Sequence, residues 1–249
     1  MRHLIRPLAA FAATLALVGC ANSPDTPDPT PEPVLELAVR RLKAGQDVAA
    51  FATVRDAFVA QLKAQPGVGT DREFAGFLDF ATFAEPSPAV FTGMTQYESL
   101  GAFQAAGAAL GESAEAGAFF STFQPVTFTV LKPLDGYGPL DLAGVAAGAG
   151  DVLEVAVRDV STYAAFDATA YATARDAFLA VLKAQPGVVR EYQWVSVLDP
   201  NIVVGMTVYD DAAAFQAVAS NPAVTGSAAA AAFLGAYPPV AGFAHAVVR

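Results

Sequence analysis

The residues of this chain that can do chemistry are few and sharply placed. Its 249 residues include one cysteine, Cys20, two histidines, His3 and His245, and one tryptophan, Trp194. Four further charged residues recur as two pairs: Glu36 and Arg40 in VLELAVR, and Glu154 and Arg158 in VLEVAVR. Alternate residues of a strand point to opposite faces. Glu36, Ala38 and Arg40 therefore share one face, and Leu35, Leu37 and Val39 the other. Four such charges in one enclosed space can hold a polar ligand or displace a pKa. An ion-pair network that fills the space is the plainer reading.

The N-terminus decides what Cys20 is for. Arg2 and Arg6 precede an apolar run from Leu8 to Val18, which ends in Leu17-Val18-Gly19-Cys20. A basic start, a short apolar core and small residues at the cut describe a secretory signal over residues 1–19. The run is too short for a permanent span, which needs about 20 apolar residues. Leu-Val-Gly-Cys resembles the lipobox of bacterial lipoproteins. That resemblance implies a diacylglycerol on the Cys20 sulfur, cleavage before Cys20 and a membrane partner held through lipid. Residues 20–33 then read as anchor and linker. Five of the thirteen residues 21–33 are proline, which favours extended polyproline II and a stalk of about 3.1 Å per residue. Ala21, by resemblance to lipoprotein sorting, implies the outer membrane and its periplasmic face.

With the signal gone, two arginines leave and the net charge of −10 becomes −12. An acidic chain is a poor partner for nucleic acid, whose phosphates need a basic face. His245 becomes the sole histidine, and lipid occupies the sole cysteine. Zinc sites built from His and Cys, a Cys–His dyad and an intramolecular disulfide are all excluded. A Ser-His-Asp triad would have to use His245. No metal site is expected. Ala143–Gly150 is rich in Ala and Gly but lacks G-x-G-x-x-G, and no cofactor is expected.

The elements that must position these residues come from an internal repeat. VRDAFVAQLKAQPGV at 54–68 matches ARDAFLAVLKAQPGV at 174–188 in twelve of fifteen positions. VLELAVR pairs with VLEVAVR, Gly93-Met94-Thr95 with Gly205-Met206-Thr207, Tyr97 with Tyr209, and AFQA at 102–105 with AFQA at 214–217. Each copy reads as strand, helix, strand, strand, Ala-rich helix, strand. The first helix carries apolar residues at helical spacing: Phe51, Val54, Phe58 and Leu62, repeated as Tyr171, Ala174, Phe178 and Leu182. Pro66-Gly67 and Pro186-Gly187 stop it. The order βαββαβ is the ferredoxin-like unit, whose open sheet face must be buried against a partner. The partner here is on the same chain. The fold expected is α+β: tandem units over 34–133 and 152–249, joined by a Gly-rich connector over 134–151, closing an intramolecular pseudo-dimeric barrel that runs as a monomer.

This order, the Pro-Gly-Val turn, and the strand-ending Tyr97 and Tyr209 followed by Ala-Phe helices resemble the dimeric α/β-barrel superfamily. Within it the antibiotic biosynthesis monooxygenase-like domains are the most similar group. The resemblance implies fold more than function, because the superfamily spans cofactor-free oxygenases, haem-degrading enzymes, stress proteins and members of no known activity. The leucine-valine faces are expected against the helices. Glu36, Arg40, Glu154 and Arg158 are expected in the lumen, with Trp194 and His245. Trp194 aligns with Gly76, so it reads as a departure from the repeat. Met94, Met206, Tyr97 and Tyr209 read as equivalent core contacts. Three functions follow: an envelope-tethered module that binds a small apolar ligand, a cofactor-independent monooxygenase, or a structural or stress-related envelope protein with a filled barrel.

Overall fold

The computed structural model describes residues 32–248, apart from 135, 138–140 and 149. The signal segment and Cys20 lie outside the described residues. The first copy runs β1 (Val34–Leu42), α1 (Val48–Lys63), β2 (Val68–Asp79), β3 (Val90–Tyr97), α2 (Leu100–Leu110), α3 (Ala114–Phe120) and β4 (Phe123–Pro133). The second runs β5 (Val152–Asp159), α4 (Ala168–Lys183), β6 (Val188–Ser196), β7 (Ile202–Tyr209), α5 (Ala212–Ala219), α6 (Pro222–Thr225), α7 (Ala228–Ala236) and β8 (Ala241–Val247). The expected Ala-rich helix is thus broken in each copy, each piece opening on its own cap.

Local chemistry sets the helix ends. Asp47 and Asp167 cap α1 and α4 by accepting from the amides of Ala50 and Ala170, which satisfies donors that a first turn leaves unpaired. Both helices end at a Pro-Gly turn. Gly67 and Gly187 have φ of 75° and 81°. A Cβ on them would sit 2.6 Å from the Ala102 side chain and 2.4 Å from that of Ala214. Only glycine suits both demands.

The eight strands close a barrel in the order β1-β3-β2-β8-β5-β7-β6-β4, with antiparallel pairing throughout. Each copy contributes four consecutive strands, β4-β1-β3-β2 and β6-β7-β5-β8. The two sets meet at the β2–β8 and β4–β6 seams. Because every step round the barrel is antiparallel, β1 and β5 run the same way and start at the same end.

The lumen is lined by one apolar cluster to which all eight strands contribute, Leu35, Leu37, Val39, Phe74, Met94, Leu131, Leu153, Val155, Val157, Met206 and Phe243 among them. The helices cover the outside. α1, α2 and α3 pack on β1, β3 and β4 through Phe51, Leu62, Tyr97, Phe103, Phe119 and Phe123. α4 and α5 pack on β5 and β7 through Leu179, Leu182, Tyr209 and Phe215. This reverses the expected sidedness of β1 and β5. The leucine-valine faces line the lumen, while Glu36, Arg40, Glu154 and Arg158 face the helices. The reason is polar satisfaction. A guanidinium has five donors to place; in the helix layer Arg40 finds Glu73 and Arg158 finds the Tyr237 carbonyl, whereas the lumen side of β1 and β5 meets Leu, Val, Met and Phe side chains. The helix layer offers ring faces, free carbonyls and a rim open to water.

Candidate functional site

Inside the barrel, β6 presents two aromatic rings. Tyr192 and Trp194 stack with centroids 6.0 Å apart and planes 19° from parallel. Tyr192 Oη and Trp194 Nε1 are buried and, among the described residues, have no hydrogen-bond partner. Strand register identifies their counterparts. Tyr192 and Trp194 pair with Met206 and Val204, as Arg72 and Phe74 pair with Met94 and Thr92. Phe74, not Gly76, is therefore the equivalent of Trp194, so an aromatic replaces an aromatic and the true departure is Arg72 to Tyr192. Reading the sequence alone missed Tyr192. Carrying the fifteen-residue match forward without a gap would have found it.

Arg72 closes the lumen at the end where β1 and β5 begin. Its terminal nitrogens donate to the carbonyls of Ala146 at 2.7 Å and Ala143 at 3.5 Å. The amide of Leu142 donates to Gln96 Oε1 at 2.9 Å. These bonds hold the connector across the mouth, where Leu142, Val145 and Ala146 are buried in the lumen cluster. A segment expected as a Gly-rich linker is thus also a plug.

His245 is in the lumen and fully buried. Its Nδ1 lies 3.2 Å from the Leu153 carbonyl and its Nε2 2.8 Å from Thr92 Oγ1. A carbonyl can only accept, so Nδ1 carries the proton and Nε2 accepts from the Thr92 hydroxyl. Burial lowers its pKa to about 4, against a smaller upward pull from the Leu153 bond. The imidazole is neutral at physiological pH. Register makes Leu131 of the first copy the counterpart of His245, and Val204 of the second copy the counterpart of Thr92, so this bonded polar pair spans the two copies and its symmetry-related site is apolar. Haem, used by some members of the resembled superfamily, needs an axial ligand. His245 does not fit that role, because both ring nitrogens are engaged and the ring is shut in the core.

The helix-facing side holds the remaining candidates. Tyr97 Oη donates to Glu36 and Tyr209 Oη donates to Glu154, each at 2.6 Å. Burial pushes both carboxyls up, opposed by the tyrosine bond and by Arg40 or Arg158. Burial and the facing carboxylates push both phenols up as well. Arg40 bonds both Glu73 oxygens, at 2.9 and 2.7 Å, and lies against Phe51, Phe119 and Phe123. Arg158 donates through Nε to the Tyr237 carbonyl at 2.9 Å and lies 4.5 Å from the Phe233 centroid. Of the six residues expected in the lumen, the structure brings Trp194 and His245 there. The other four form two separate outer clusters.

Two grooves lie away from these residues. One of about 570 Å³ runs between β2 and α5, past Phe77, Leu78 and Phe215. Another of about 480 Å³ lies at the barrel end opposite the plug, past Thr127, Val157 and Ile202. Among the described residues, no group of three or more His, Cys, Asp or Glu is placed to hold a metal, and no helix is long and apolar enough to cross a membrane.

No family model matches the chain, and none of the curated proteins does. Solved structures do. An anthrone oxidase-like protein is 12% identical, with a TM-score of 0.57 over 88% of this chain and 92% of its own. A chlorite dismutase mutant from Candidatus Nitrospira defluvii is 8% identical, with 0.54 over 88% and 92%. A Fusobacterium nucleatum protein named as a candidate monooxygenase is 9% identical, with 0.53 over 88% and 94%. At such identities the likeness is one of fold: the chain is an α+β protein with a closed eight-strand antiparallel barrel, built like the monooxygenase-like and chlorite dismutase-like barrels.

Proposed function

We propose that this chain is an envelope lipoprotein whose barrel binds a small, largely apolar ligand carrying a hydrogen-bond acceptor. Residues 1–19 are its signal and Cys20 bears lipid. Residues 21–33 are a stalk holding the barrel on the periplasmic face of the outer membrane. Residues 34–133 and 152–249 are tandem ferredoxin-like units that form an intramolecular pseudo-dimer around the 134–151 connector. The shared strand order of the two copies, β4-β1-β3-β2 and β8-β5-β7-β6, supports that reading.

The observation that carries the ligand is the pair of orphan donors on β6. Leaving one buried donor unpaired costs about 1–3 kcal/mol, and buried polar atoms are as a rule paired. Two on adjacent stacked rings, in a mostly apolar lumen, suit a planar molecule that accepts from Tyr192 and Trp194. The closed plug means that such a ligand enters when the connector lifts or is enclosed during folding. Absorbance and mass spectrometry of the purified protein should reveal a co-purified small molecule that is lost in Trp194→Phe. A protein without one, whose sole tryptophan also keeps its emission when 1-naphthol is added, would favour the filled, structural barrel instead.

A second reading, a cofactor-independent monooxygenase, draws on the Thr92–His245 pair, a polar couple that spans the two copies and whose symmetry-related site holds Leu131 and Val204, and on the names of the fold neighbours. It requires turnover of an added phenolic substrate that His245→Leu abolishes. For the anchor, Cys20→Ala should block cleavage before residue 20 and labelling by radioactive palmitate. Labelling of that variant would refute lipidation at Cys20.

A further inference from the structure

We propose that Arg158 and the tyrosines around it form a binding site for a small aromatic carboxylate, on the helix-facing side of β5 and separate from the lumen. The argument is a comparison within one chain. In the first copy, Arg40 is 5% exposed and Glu73 1% exposed, and Glu73 neutralises Arg40 with two bonds. In the second copy, Arg158 is equally buried at 5% exposed. Register puts Gln193 where Glu73 stands, since Glu73 pairs with Gly93 and Gln193 with Gly205. The cation is retained and its counter-ion is gone.

Among the described residues, nothing else replaces that carboxylate at bonding distance: none lies within salt-bridge reach of Arg158. Its Nε serves the Tyr237 carbonyl, and its terminal nitrogens find no hydrogen-bond partner among the described residues. Glu154, the carboxylate that acts on it through space, is held by Tyr209. Gln193 itself turns its amide to Glu191. A desolvated guanidinium without a counter-ion is a costly arrangement. Burial accordingly lowers its hold on its proton.

The rings changed along with the charge. Phe51 and Phe123, which flank Arg40, correspond to Tyr171 and Tyr237 beside Arg158. Their centroids lie 5.0 Å apart, and Tyr163 adds a third phenol 5.4 Å from Tyr237. Tyr163 and Tyr237 are half-buried, and Phe166 beside them is exposed, so the cluster reaches the surface. A planar acid entering between these rings would place its carboxylate on the two free guanidinium nitrogens, the fork geometry that Arg favours. Ring faces and phenol edges would hold its aromatic body.

The test is fluorine NMR of 4-fluorobenzoate with the intact protein. Saturable binding is expected, and Gln193→Glu should weaken it at least tenfold by restoring the internal counter-ion, while thermal stability stays the same or rises. Arg158→Gln should also abolish binding, but Gln193→Glu is decisive because it keeps the fold and the arginine. Binding that survives Gln193→Glu, or no saturable binding to the wild type, overturns the proposal. Displacement by inorganic phosphate but not by benzoate would overturn the carboxylate assignment.

Discussion

His245 and Thr92, one from each copy, occupy the site whose symmetry-related counterpart holds Leu131 and Val204, and this one pair gives the fold a pH dependence. The folded pKa of His245 is about 4, below the ordinary 6.5. Below pH 6.5 the unfolded chain therefore takes up a proton that the folded chain refuses. Stability from this group is complete above pH 6.5 and is lost as pH falls towards 4, by about 3 kcal/mol at most. Thr92→Val with His245→Leu copies the symmetry-related site and should remove that slope while keeping the fold, as read by urea denaturation at several pH values. A slope that persists would place the titration elsewhere. Glu36 and Glu154 act in the opposite sense. Burial raises their folded pKa above the ordinary 4.5, so their contribution is favourable at low pH and lost as pH rises through the folded value. Tyr97→Phe or Tyr209→Phe strips each carboxylate of its donor and should cost about 1–3 kcal/mol at neutral pH.

Among the elements, the connector and the two seams matter most. Leu142 is fully buried in the lumen cluster though it belongs to a linking segment. Leu142→Ala should cost about 2–5 kcal/mol, as a core leucine does; a cost below about 0.5 kcal/mol, typical of a surface site, would mean that the plug is not seated. The seams are unequal. β2 and β8 pair from Phe74 to Asp79, whereas β4 and β6 pair only from Leu131 to Pro133, helped by Thr129 donating to Ser196 at 2.7 Å. Local opening begins where pairing is thinnest. Amide hydrogen exchange should therefore be faster along the β4–β6 seam than along β2–β8, and equal protection would contradict the difference. β6 carries Tyr192 and Trp194, so the weaker seam borders the proposed ligand.

For the whole molecule, closure within one chain is the central claim. A half barrel would expose Leu35, Leu37, Val39 and Met94 on one side and Leu153, Val155, Val157 and Met206 on the other. The protein without its signal and lipid should run as a monomer by light scattering. Its halves, 34–133 and 152–249, should associate when produced separately, because each lumen face needs the other. A stable dimer of the intact chain would show that closure occurs between chains. The repeat made this architecture readable, since two copies of one element order on one chain carry two open sheets that can meet, and the eight strands close one barrel.

The sequence by itself determined the duplication, the element order, the Pro-Gly turns and the sorting of β1 and β5 into a charged face and an apolar face. Those are local properties: spacing, alternation and turn chemistry act over a few residues. Which face looks inward was decided only by tertiary structure. Both faces of these strands are buried, one in the lumen and one under helices, so alternation separates them without ranking them. The lumen is lined mostly by Leu, Val, Met and Phe, while the helix side supplies Glu73, Tyr97, Tyr209 and the Tyr237 carbonyl as partners, so Glu36, Arg40, Glu154 and Arg158 lie on the helix side and Trp194 and His245 within. The pairing of Arg40 with Glu73, and the loss of that partner at Arg158, likewise appeared only when strands distant in sequence came into register.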